Sequence, residues 1–197
     1  MLNDTSSPLA LLRTRRSGRP RDLAAPGPDS RQLRTILELA MRSPDHGKLA
    51  PWRFVHVPPE GRADFAALLH RAWRAERPEP GRLEMEAIER FAHQAPTLVT
   101  VLFRAVESTK IPLWEQELSC GAACMNLLSA AHASGFAGGW VTGWAAASPI
   151  VTEALGTRGD RIAGFIFIGT PSVPLEERPR PDYDDIVSQW PGTASGS

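Results

Sequence analysis

The chain is poor in cysteine, carries no excess charge of either sign and has no long apolar run, and each shortage closes off a class of protein. Only two cysteines occur in 197 residues. Cys120 and Cys124 stand four apart in a helical pattern with no second ligand pair, so neither a disulfide framework nor a zinc knuckle is expected. Two small buried residues on one helical face is the simpler reading. The 22 basic and 22 acidic residues cancel, so no global field favours nucleic acid or an anionic membrane, and any anion site must be local. No stretch approaches the roughly 20 apolar residues of a membrane span, and Met1 to Pro8 is polar where a signal peptide needs an apolar centre. These features predict a cytoplasmic protein with no nucleic-acid or membrane partner. Internal repeats, a nucleophile triad and a metal-ligand cluster are all missing too.

What is there reads as one α+β domain over residues 1–190, with a small, polar, disordered tail at 191–197. Ser7 to Arg16 forms a first helix with an arginine-rich end, broken by Pro20 and Pro26-Gly27-Pro28. Asp29 or Ser30 caps a second helix, whose Leu33, Ile36, Leu37 and Ala40 fall at helical spacing. Pro44 ends it. Trp52 to Val57 is a strand, Arg62 to Arg74 and Leu83 to His93 are surface helices around a Pro78 to Gly81 break, and Thr97 to Phe103 is a strand buried on both faces. The longest helix, Leu113 to Ser134, is nearly all apolar or small from Leu118 onward. In so small a domain that predicts cover from a second subunit. Gly135 stops it, a glycine-flanked strand or turn follows at Gly138 to Gly143, Ser148-Pro149 opens a short helix, and Ile162 to Ile168 is the last strand.

Two basic clusters bear on function. Arg15-Arg16-Ser17 offers two guanidinium forks and a hydroxyl, the groups best shaped for a phosphate monoester; by itself it also reads as a solvated helix end. Arg42 and His46 flank Pro44, which puts His46 in a loop, where a lone histidine without metal partners is ordinarily a surface residue. Trp114, Trp140 and Trp144 could wall a pocket or simply anchor packing, and Glu115 and Glu117 suit a helix start. A basic arm for nucleic acid, formed by Arg13, Arg15, Arg16, Arg19 and Arg21, is a weaker reading because charge is neutral overall and no aromatics are interleaved.

Arg15-Arg16-Ser17, Arg42-Ser43-Pro44-Asp45-His46, Pro51-Trp52, Pro112 to Glu117, Gly138 to Gly143 and Gly164 to Pro171, in this order, resemble the nitroreductase family of FMN-dependent oxidoreductases, in its compact YdjA-like subgroup. The resemblance implies a nitroreductase-like fold, a central, mostly antiparallel mixed sheet flanked by helices, in an intertwined homodimer with FMN sites at the interface. It implies a two-step cycle in which NADH or NADPH reduces the flavin at N5 and a nitro compound, quinone or similar small-molecule acceptor reoxidises it. No catalytic residue beyond the flavin itself is then needed. By the same carry-over Arg15, Arg16 and Ser17 hold the FMN phosphate and ribityl chain or ring edge. Arg42 and His46 come from the partner, Trp140, Val141 and Thr142 run beside the ring, and Ala130, Ala131, His132, Ala133, Ser134 and Gly135 match a nicotinamide-binding stretch. His46 and Ala50 stand where the wider family carries Asn and Gln, and Val141 where the subgroup can carry Arg. A flavin-binding dimer that sequesters or regulates without turnover is the alternative.

Overall fold

Two strands organise the molecule by sending alternate side chains to opposite faces. In a computed structural model describing residues 1–77 and 79–190, these are β3 (Thr97–Phe103) and β5 (Arg161–Pro171). Leu98, Leu102, Phe165 and Phe167 enter one core, and Val99, Val101, Phe103, Ile166 and Ile168 enter another. Period-two alternation is the reason one sheet can divide two cores. Every position of β3 is buried, as expected of a strand covered on both sides. The expected tail at 191–197 and Pro78 of the predicted break lie outside the described residues.

The chain order is α1 (Pro8–Thr14), β1 (Leu23–Ala24), α2 (Ser30–Ala40), β2 (Trp52–Val57), α3 (Arg62–Glu76), α4 (Arg82–His93), β3, α5 (Leu113–Ala133), β4 (Ala137–Val141), α6 (Trp144–Ala147), α7 (Pro149–Leu155), β5 and α8 (Tyr183–Ile186). β3 lies between β2 and β5; β5 also pairs with β4 and, at its end, with β1. A mostly antiparallel sheet was expected, and among the described residues every pairing is antiparallel. The helix pair α3–α4 explains one of these pairings: it leaves β2 and returns the chain to the same end, setting Val57 opposite Leu98. β1 and α8, too short to show a period, were not foreseen.

Helices α3, α4, α6 and α7 cover the first core through Phe65, Leu69, Ile88, Ala145 and Val151. Arg62 fastens this layer. It is 4% exposed and, among the described residues, has no acidic partner. Its guanidinium instead donates to the carbonyls of Val57 (3.0 Å), Ala92 (2.8 Å) and Gln94 (3.1 Å).

Helices α2 and α5 cover the second core. Asp29 caps α2 in a reciprocal box: the Gln32 amide donates to Asp29 Oδ1 and the Asp29 amide to Gln32 Oε1. α5 stops at Gly135, whose φ of +87° lets Phe136 N–H reach Ala131 O at 3.0 Å. Cys120 and Cys124 are both buried on its inner side. Its outer side is another matter: Leu113, Trp114 and Leu118 are 50%, 60% and 65% exposed, with half-buried Ala122 and Met125 continuing the stripe.

Candidate functional site

The first cluster sits where the end of α1 meets the chain beyond β5. Arg16 is tied to its own chain, donating to Glu176 O at 2.9 Å and pairing with Glu177 at 3.4 Å. Its amide donates to Asn3 Oδ1 at 2.7 Å. Arg15 is different: among the described residues its half-buried side chain makes no hydrogen bond or ion pair. Burial lowers its pKa, and so do the charges of Arg180, Arg16 and Arg178, with Glu177 acting the other way. Glu177 also pairs with Arg180 at 3.5 Å. Among the charges that act on Arg15, three guanidiniums therefore stand against one carboxylate. Beside them, Arg16, Ser17, Arg19, Asp22 and Val173 to Arg178 line a cavity of about 270 Å³.

The second cluster runs along α5. Ser119 Oγ donates to Pro44 O, Asn126 Nδ2 donates to Ser43 Oγ at 3.0 Å, and His46 Nδ1 lies 2.7 Å from Glu115 Oε2. Asp45 takes the amides of Leu49 and Ala50. This clamp holds a sharply bent loop in which Gly47, Lys48 and Ala50 all have positive φ. His46, expected in a loop, occupies a short 3-10 turn (His46–Lys48) and keeps its side chain 67% exposed. Arg42 is also exposed. Glu115 thus gains a role that no motif marks, orienting His46, while Glu117 meets Arg161.

The third segment leaves the sheet at the end of β4. Trp140 Nε1 donates to Ala163 O at 3.0 Å, and the indole lies close against Gly164, where a Cβ would be 2.0 Å from Nε1. Only glycine admits that approach. Val141 is half-buried and Thr142 exposed. Cavities flank this segment. One, about 580 Å³, is lined by Trp140, Phe103, Cys120, Gly121, Arg161 and Ala163 among others. A smaller one, about 300 Å³, has Thr142 on its lining with Leu69, Trp73, Ile88, Phe91 and Trp144. Trp73 and Trp144 meet there with centroids 4.6 Å apart.

The chain does not join the first two clusters: among the described residues no hydrogen bond or ion pair links Arg15, Arg16 or Ser17 to Arg42 or His46. The first cluster does adjoin β4, through Gly18 N–H donating to Gly138 O at 3.0 Å. In the stretch carried over for nicotinamide, Ala130, Ala131 and His132 point into the protein and present no surface, because the last turn of an all-round apolar helix still packs. Ala133, Ser134 and Gly135 are exposed. Sequence reasoning missed Arg178 and Arg180, which no motif marks and which arrive only because the chain after β5 folds back on Arg16. Among the described residues no three metal-ligating side chains converge, and no helix is long and apolar enough to cross a membrane.

Residues 12–170 match the Nitroreductase family. YdjA of Escherichia coli (strain K12), named as a candidate NAD(P)H nitroreductase, is 40% identical over 166 residues, covering 84% of this chain and 88% of that protein. A nitroreductase-like family protein from Bacillus cereus superposes with a TM-score of 0.80 at 21% identity, over 95% of this chain and 97% of that one. A candidate nitroreductase from Desulfovibrio desulfuricans, solved in complex with FMN, gives 0.70 at 21% identity over 94% and 98%.

Proposed function

Because this chain belongs to the nitroreductase family, we propose that it is an FMN-dependent oxidoreductase. It takes electrons from NADH or NADPH and delivers them to a nitro compound, quinone or similar small acceptor, as one domain over residues 1–190, in the cytoplasm. The observation that carries this reading is the corner at Arg15. Burying a cation among cations is unfavourable unless an anion completes the set, and among the described residues Glu177 is the one carboxylate acting on Arg15 against Arg180, Arg16 and Arg178. A phosphate dianion has the charge and the acceptor count to take that place.

Within this reading Arg15 rather than Arg16 meets the phosphate, since Arg16 is already held by Glu176 and Glu177. Ser17 adds a hydroxyl. Trp140, Val141 and Thr142 lie along the ring, whose developing negative charge needs preorganised donors. Bound FMN would supply the two-electron chemistry, so no side chain has to act as a nucleophile. Ala133, Ser134 and Gly135 are what the end of α5 offers a nicotinamide nucleotide.

The separation of Arg42 and His46 from Arg15 supports a homodimer with each site built from two chains. The exposed stripe Leu113, Trp114 and Leu118 lies on the same helix that holds the Arg42–His46 loop, so covering the stripe brings that loop to a partner. Purified protein should be yellow with one FMN per chain, should bleach quickly under anaerobic NADH or NADPH, and should regain colour with an acceptor. A yellow protein that does not bleach would mean sequestration rather than turnover. A stable monomer retaining stoichiometric FMN would end the shared-site part of the reading.

A further inference from the structure

His132 is wholly enclosed, at 0% exposure in the last turn of α5. Its Nε2 lies 3.2 Å from the amide nitrogen of Gly138, which can only donate. The ring is therefore the neutral tautomer with its proton on Nδ1, and that N–H is buried with no partner among the described residues. Gly138 belongs to β4, with β5 on one side of it. On the other side its N–H goes to His132 and its carbonyl accepts the Gly18 amide at 3.0 Å. The contact is tight as well as bonded: a Cβ at Gly139 would lie 2.5 Å from Gly18 O.

A continuous strut thus runs from α5 through Gly138 to Gly18, the residue next to Ser17. The strut works only with a neutral imidazole. A second proton would convert the Nε2 acceptor into a donor facing another donor, and would add a charge near Arg15. Burial first, and the charge of Arg15 second, push the His132 pKa down to about 4 and keep the ring neutral at ordinary pH.

We propose that His132 is a positioning residue for the anion site: from inside the protein, through Gly138 and Gly18, it fixes where Arg15, Arg16 and Ser17 stand. It acts without touching ligand, which separates it from the exposed Ala133, Ser134 and Gly135 that follow. The inference rests on the flavin reading above, and the test distinguishes the two.

Apo protein is titrated with FMN and, separately, with riboflavin, which lacks the phosphate, using wild type, His132→Leu and His132→Gln. Leucine fills the space but cannot accept; glutamine Oε1 can still take the Gly138 proton. H132L should weaken FMN at least tenfold while changing riboflavin less than threefold, and H132Q should stay within threefold of wild type for both. If H132L is recovered unfolded, H132Q is compared with H132N, whose amide is too short to reach Gly138, and the same contrast is expected. Undiminished FMN affinity in H132L overturns the proposal, as does equal loss of FMN and riboflavin, or failure of glutamine to rescue. Wild-type protein that binds neither flavin overturns the flavin reading itself.

Discussion

Removing Arg15 should weaken FMN binding while leaving the apo protein as stable as before, and this divergence makes Arg15→Ala the most discriminating substitution. On the binding side, a guanidinium on a phosphate is a charge-assisted bond of about 1.5–3 kcal/mol. At roughly 1.4 kcal/mol per decade, that is about a 10- to 150-fold rise in Kd. On the apo side Arg15 has no bond to lose among the described residues, and its near neighbours in charge are Arg180, Arg16 and Arg178 against Glu177. Relief of that repulsion offsets the lost packing of its alkyl stem, so the apo change should stay within about 0.5 kcal/mol. Fluorescence quenching of FMN on titration gives the Kd, and thermal melts of the apo protein give stability. Raising salt should weaken wild-type binding more than it weakens the variant's, because one charge contact fewer is screened. Unchanged Kd with an apo Tm lowered by more than about 5 °C, which corresponds to over 1 kcal/mol in a domain of this size, would show Arg15 to be a scaffold residue and refute the assignment.

Arg62→Met should cost about 2–4 kcal/mol in urea unfolding, because three carbonyls within 3.1 Å, two of them in buried bonds, lose a charged donor at once. A cost below 1 kcal/mol would mean that water replaces the guanidinium. Gly164→Ala should displace Trp140 and break its bond to Ala163 O. The expected penalty is about 1–3 kcal/mol with a red-shifted tryptophan emission, and an unshifted spectrum would contradict the close approach. For His132 the folded pKa of about 4 lies below the ordinary 6.5, so the unfolded chain takes the proton first. Stability from this group is full above pH 6.5 and falls as pH drops towards 4, by on the order of 3 kcal/mol. Urea midpoints measured across that window should show the loss in wild type and lack it in His132→Gln.

Elements with a strong period were legible before any coordinates: α2, β2, β3, α5 and β5 fall where alternation and helical spacing put them. Asp29 and Gly135 acted as start and stop because their chemistry is local, a side-chain acceptor and a left-handed φ. What escaped the sequence depends on distant residues meeting. β1 exists only because Leu23 and Ala24 find the end of β5. Arg178 and Arg180 join Arg15 only because the chain returns to it, and Glu115 matters only because Pro44 is pinned to Ser119. His132 is a different case: it belongs to the motif-matched stretch Ala130 to Gly135, and its side chain is wholly inside. Motifs carried over by position say which segment is near a site, and packing decides which atoms face it.

The sheet that divides the two cores also divides the ways this protein can change. Phe65, Leu69 and Ile88 lie on one side of it and Ile36, Cys124 and Leu127 on the other. Substitutions drawn from opposite sides share no partners, so their stability effects should simply add, while those drawn from one side should show epistasis. The smaller cavity, lined by Leu69, Trp73, Ile88 and Trp144, lies wholly on the α3–α4 side. It could therefore be enlarged or reshaped during laboratory evolution without altering the α5 layer that carries the exposed stripe. Variation in what the protein accommodates and variation in how it assembles are, in this architecture, separately heritable.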